Sequence, residues 1–149
     1  RFTASNGWRR LVVNHNIHWV RSKIQSPTLR ETNMPFVMKY EVQGVSSTPG
    51  TQSNTLVGKD NGGKNLTVVN AGIDPGAGLA LHIHPNYEEA MLVLEGNIEA
   101  VLEDETRVLG PGDMLLAPAG VKHTITNQSD NPARVLAIYP TTTPEREFV

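Results

Sequence analysis

"GAGLALHIHPNYEEAMLVLEG", Gly76 to Gly96, decides how this chain is read. It sets His82 and His84 one residue apart, follows them with the adjacent pair Glu88 and Glu89, and runs through apolar Met91–Leu94 into a Glu-Gly turn. Side chains alternate faces along a strand, so on a strand His82 and His84 share one face and Ile83 takes the other. If that face is the inside of a barrel, two imidazoles lie buried side by side, which is costly unless something uses their lone pairs. A metal ion does so, and imidazole is its commonest protein ligand. Glu88 shares parity with Ala90, Leu92 and Leu94, and Glu89 with Met91 and Val93, so alternation alone leaves the inward glutamate open.

The surrounding sequence has the same short-strand texture. From Phe36 onward the candidate strands are "FVMKYEV", "SNTLVG", "NLTVVNAGI", "LALHIH", "EAMLVLEG", "IEAVLED", "TRVLG", "DMLLAP", "HTITNQ" and "RVLAIYP". Between them lie Gly, Pro, Asn and Asp clusters such as "STPG", "DNGG", "DPGAG", "GPGD" and "SDNP", which favour tight turns. No segment after Phe36 carries a sustained 3.6-residue apolar period, so an all-β barrel, a jelly roll, is predicted. A third histidine, His123, opens a strand just after the Pro118-Ala119-Gly120 turn.

These residues carry a resemblance to the cupin family. Its first motif reads G, five residues, H-x-H, three or four residues, E, six residues, G, and Gly76, His82, His84, Glu89 and Gly96 match it. Glu88 would break the spacing to Gly96, so the motif selects Glu89. The second motif reads G, five residues, P-x-G, two residues, H, three residues, N, matched by Gly112, Pro118, Gly120, His123 and Asn127. The resemblance implies a cupin jelly-roll (double-stranded β-helix) and one divalent transition metal held by His82, His84, Glu89 and His123. Iron, manganese, nickel, copper and zinc all suit three imidazoles and a carboxylate. The glycines and Pro118 are read as turn formers, and Asn127 as a hydrogen bonder at a turn or strand end. The wording of "TRVLGPGDMLLAPAGVKH" is similar to small microbial cupins.

Function is less specific, because one fold hosts many chemistries. The resemblance implies dioxygenases, sugar isomerases, lyases acting on sugar acids, and binding modules without turnover. Ala80, Met91, Val93 and Ile125 share parity with neighbouring ligands, and Lys122 falls opposite His123. A lining this apolar lacks the cation clamp that a phosphorylated sugar wants and suits an apolar or aromatic small molecule. The leading expectation is therefore a metal-dependent enzyme of dioxygenase type. The alternatives are a sugar-acid lyase or isomerase using the same metal, and a non-catalytic metal-containing binding module. No catalytic residue is assigned.

Composition is that of a soluble globular chain, with 38% hydrophobic and 19% charged residues and no cysteine, hence no disulfide and no thiolate metal site. The apolar runs are far shorter than the roughly 20 residues of a membrane helix. A cytoplasmic protein binding neither membrane nor nucleic acid is expected. The net charge of −2 is unevenly spread. Residues 1–33 hold six basic groups and one acid, a balance of +5; residues 34–149 hold seven basic and fourteen acidic groups, a balance of −7. The chain opens with Arg1, and Met34 stands where a compact domain would start. Residues 1–33 are read as a basic extension packing on the barrel of residues 34–149 or on a partner in a homodimer, with Trp8 or Trp19 partly buried. "GWRRLVVNHNIHWVRSKI" fits a helical stripe or a strand, and His15 and His18 are not read as ligands.

Overall fold

The computed structural model describes residues 8–13, 16–21, 36–46 and 48–149. The chain divides into two units, Arg1–Pro35 and Phe36–Val149. In the first, β1 (Trp8–Val13) pairs antiparallel with β2 (Asn16–Arg21), Trp8 opposite Arg21 and Val13 opposite Asn16. The strand pattern there thus prevails over the helical one. His15 and the side chains of Trp8, Trp19 and His18 lie outside what is described.

The second unit is built from two five-stranded sheets. Its strands are β3 (Thr51–Val57), β4 (Thr67–Ile73), β5 (His82–Ile83), β6 (Glu89–Glu95), β7 (Ile98–Leu102), β8 (Glu105–Leu109), β9 (Met114–Ala117), β10 (His123–Thr126), β11 (Ala133–Tyr139) and β12 (Glu147–Phe148). One sheet runs β3-β4-β11-β6-β9 and the other β12-β5-β10-β7-β8, antiparallel throughout. Both sheets exchange strands along the chain, as a jelly roll does. Burial alternates with period two on β6, β10 and β11, as strands with one buried face require. The inward residues Met91, Val93, Ile98, Ile125, Val135 and Tyr139 meet in one cluster between the sheets.

Two expected strands differ. "FVMKYEV" folds instead into a 3-10 turn at Lys39–Glu41, where Glu41 N–H donates to Met38 O and Val42 N–H to Lys39 O. Phe36 and Tyr40 are exposed and bury nothing that would hold a strand, and only Val45 bridges to β3, at Ser53. "LALHIH" supplies just His82 and Ile83: Leu79 N–H still donates to Ile125 O on β10 and Gly78 bridges to Thr126, but the chain bends at Leu81 between these contacts and β5. Among the described residues no helix is long and apolar enough to cross a membrane.

Candidate metal centre

The sheet register assembles the site. His82 on β5 lies directly opposite His123 on β10, so both rings leave the same face of one sheet. Glu89 opens β6 in the other sheet and meets them across the interior. His84 follows β5, and its carbonyl accepts from Gly120 N–H at 2.8 Å. Gly120 has φ +76°, a left-handed conformation that favours glycine, and it lets the turn after Pro118 reach back to His84. All four side chains are at most 1% exposed, and their ligand atoms lie within 4.8 Å of one another. The sequence-selected Glu89 is inside, whereas Glu88 is exposed.

Each ring is locked by its far nitrogen. Nδ1 of His82 donates to Ala80 O at 2.8 Å, Nδ1 of His123 to Val121 O at 2.9 Å, and Nδ1 of His84 to Glu145 O at 2.5 Å. A carbonyl only accepts, so a neutral ring held this way presents a lone pair at Nε2. Those three Nε2 atoms face one carboxylate oxygen, Glu89 Oε2, at 2.9 Å for His84, 3.0 Å for His123 and 4.0 Å for His82. Lone pairs gathered around an anion repel unless protons or a cation lie among them. His82 Nε2 and Glu89 Oε1 are buried with no hydrogen-bond partner at all among the described residues. Three outward-anchored imidazoles and a carboxylate form a donor set that fits a divalent transition metal. The 2.9–3.0 Å spacings also match those of ligands at right angles on an ion with bonds of about 2.1 Å.

Electrostatics follow from the packing. Burial pushes His82 down to about 4, aided by the neighbouring His123. Burial alone would raise Glu89, but hydrogen bonds with His123 and His84 outweigh it and hold the carboxyl at about 2. Burial likewise opposes protonation of His123, yet its bond to Glu89 leaves it above the usual histidine range. Burial and the Glu89 charge push the Tyr139 hydroxyl up, so it stays a proton donor.

Several neighbours carry no signal in the motifs. Tyr87 stacks on His84 with ring centroids 5.1 Å apart, and its hydroxyl donates to Glu145 O at 2.7 Å while accepting from Glu145 N–H. The C-terminal segment thus clamps His84, and β12 extends the clamp by pairing Phe148 with His82. Arg146, from that segment, reaches Tyr139 Oη at 3.5 Å and lines the interior cavity together with Glu89. The remaining walls include Ile73, Leu79, Met91, Ile125, Val135 and Ala137. Met91 and Ile125 therefore line it as their parity suggests, while Val93 is core and Ala80 is exposed because β5 begins only at His82. Tyr87 lies between two motif positions and was accessible to sequence reading. Arg146 was not, since nothing in "TPEREFV" marks it.

Comparison with known proteins follows the same lines. Residues 70–139 match the family model described as "Cupin domain". The quercetin 2,3-dioxygenase of Bacillus subtilis (strain 168) is 31% identical over 104 residues, 68% of this chain and 30% of that protein. The structure of KdgF from Halomonas sp. superposes with a TM-score of 0.63 at 25% identity, covering 71% of this chain and 94% of that one. The polyketide cyclase RemF from Streptomyces resistomycificus gives a TM-score of 0.68 at 25% identity, covering 78% and 85%. The chain spans between 30% and 56% of the length of the curated relatives it matches.

Proposed function

Since the chain belongs to the cupin family, we propose that it is a metal-dependent enzyme of dioxygenase type acting on an apolar or aromatic small molecule. One divalent metal (iron, manganese, nickel, copper or zinc) is held by His82, His84, Glu89 and His123. The observation that carries this reading is the convergence of three Nδ1-anchored imidazoles on Glu89, with His82 Nε2 and Glu89 Oε1 left unpartnered. When bound, such an ion supplies Lewis-acid or oxygen-activating chemistry at positions the protein leaves free.

The chain's own residues then set the conditions. The carbonyls of Ala80, Val121 and Glu145 fix the ring orientations, so little reorganisation accompanies loading. Apolar walls exclude bulk water and strengthen every charge inside. Protonated Tyr139 stands beside the centre as a donor. A pocket of about 510 Å³, lined by Val42, Thr55, Asn61, Thr67, Thr142 and Pro144 among others, shares Val69 with the interior cavity and is of small-molecule size.

A second reading, oxygen-independent lyase, isomerase or cyclase chemistry with the same ion, is favoured by likeness to the polyketide cyclase RemF over 85% of that chain. An oxygen electrode separates the two. Catechols, diketones and flavonols supplied to metal-loaded protein should drive stoichiometric oxygen uptake. Turnover of the same panel at equal rate without oxygen would replace the first reading by the second.

The same proposal includes a homodimer, with residues 1–33 as a basic arm contacting the partner. The outer face of the β3-β4-β11-β6-β9 sheet supports self-association. Its register aligns Val68, Ile138, Ala90 and Leu116 in one row, and Leu136, Leu92 and Met114 in the next. Met114 and Leu116 are more than half exposed, and a patch this apolar is uncommon on a soluble monomer.

A further inference from the structure

Arg146 is placed with unusual care for an exposed residue. On one side, the Glu145 backbone is held by His84 and Tyr87; on the other, Glu147 and Phe148 pair with Ile83 and His82. Between these anchors the Arg146 side chain turns to the interior cavity, with Nη2 3.5 Å from Tyr139 Oη. Among the described residues no carboxylate forms an ion pair with it, although Glu145 and Glu147 flank it in sequence.

Charge counting gives this placement a purpose. A divalent ion with a single carboxylate ligand leaves one positive charge unbalanced in a buried site, which is costly, and the cheapest remedy is an anionic ligand. Arg146, exposed at the rim, adds a second positive charge on the side from which such a ligand would come. The cavity beside Glu89 has room of about 20 Å³, enough for about one water, so the body of an organic ligand has to lie outside it. Pro144 borders the outer pocket and Arg146 the inner cavity, so this short strap lines both spaces.

We infer that Arg146 is a specificity-determining residue that holds an anionic oxygen of the substrate, a carboxylate, enolate or phenolate, at the entrance to the metal site. This rests on the metal reading above. Guanidinium suits such an oxygen because it offers several N–H donors in a plane and keeps its charge at all working pH values. The Tyr139 hydroxyl lies within reach of the same oxygen. The ligand is thus an apolar body with one acidic oxygen, which narrows the substrate class.

The test uses the full chain loaded with cobalt(II), with 4-nitrocatecholate as the chromophoric anionic probe and imidazole as an uncharged probe of the metal. Wild type, Arg146→Gln and Arg146→Lys are compared for cobalt content, for both affinities and for the salt dependence of each. Arg146→Gln should weaken nitrocatecholate about tenfold or more, with Arg146→Lys in between and imidazole unchanged. Added salt should weaken nitrocatecholate more in wild type than in Arg146→Gln. Nitrocatecholate affinity in Arg146→Gln within twofold of wild type, at equal cobalt content, would overturn the inference and leave the metal reading standing. A parallel loss of imidazole affinity would also overturn it, since Arg146 would then only support the centre. Wild type that takes up no cobalt would instead remove the metal reading, and the inference with it.

Discussion

Replacing His82 by leucine separates what the metal contributes from what the fold contributes. In the metal-free chain His82 Nε2 is buried without a partner, and its other nitrogen bonds the carbonyl of Ala80, an exposed residue. Leucine is close in size to histidine. Relieving an orphaned buried group, worth about 1–3 kcal/mol, roughly offsets one lost hydrogen bond and some repacking, so metal-free stability should change by no more than about 1 kcal/mol. Metal at a hundredfold excess over its dissociation constant stabilises the wild type by about 2.7 kcal/mol. For the Phe36–Val149 unit, 114 residues with an unfolding entropy of about 0.24 kcal/mol/K, that is a rise in Tm of about 11 °C. If the variant binds about a hundredfold more weakly, the same metal concentration gives about 0.4 kcal/mol and a shift near 2 °C. Acid sharpens the contrast. The folded His82 protonates only at about 4 whereas the unfolded one does so near 6.5, so the unfolded state binds more protons between those values. His82 therefore contributes stability that is full above pH 6.5 and lost by about pH 4, about 3 kcal/mol in all. The leucine variant lacks this loss and should gain on metal-free wild type as pH falls. Scanning calorimetry with and without metal, at pH 7.5 and 4.5, reads all of these. A variant that keeps the full metal-induced shift would refute His82 as a ligand, and one unfolded without metal would show the imidazole to be structural.

Three further outcomes are expected. His84→Ala and His123→Ala should each bind metal at least about a hundredfold more weakly while keeping a β-type circular dichroism spectrum, measured by elemental analysis alongside far-UV spectra. Asn127→Ala should destabilise the chain by about 2–4 kcal/mol in urea titration. Asn127 is fully buried, its Nδ2 donates to Ile73 O and Asn131 O, and its Oδ1 accepts from Ser129 N–H and Oγ–H, so truncation orphans buried backbone. Leu116→Glu should turn a dimer into a monomer by light scattering, and a wild type already monomeric would end the dimer proposal.

The site was legible in the sequence because its spacing is a property of strand geometry. His82 and His84 must share a face, and the fixed interval from Glu89 to Gly96 is one inward-facing strand, β6, ending at its turn. Asn127 was read as a turn bonder, and it ties Ile73 to the Ser129–Asn131 turn. What stayed hidden depends on contacts between parts of the chain distant in sequence. Glu145 and Arg146 are brought to the site because the adjoining Glu147 and Phe148 pair with β5, and a two-residue strand such as β12 has no pattern of its own. "FVMKYEV" shows the converse, since good strand residues form no strand when no neighbour supplies a ladder.

The most direct measurement is anomalous X-ray diffraction, at the absorption edge of the bound ion, from crystals grown with divalent metal. One peak per chain is expected among His82, His84, Glu89 and His123, about 2.0–2.2 Å from the three Nε2 atoms and a Glu89 oxygen. A metal-saturated crystal with no peak there, or with its only peak elsewhere on the chain, would contradict the assignment.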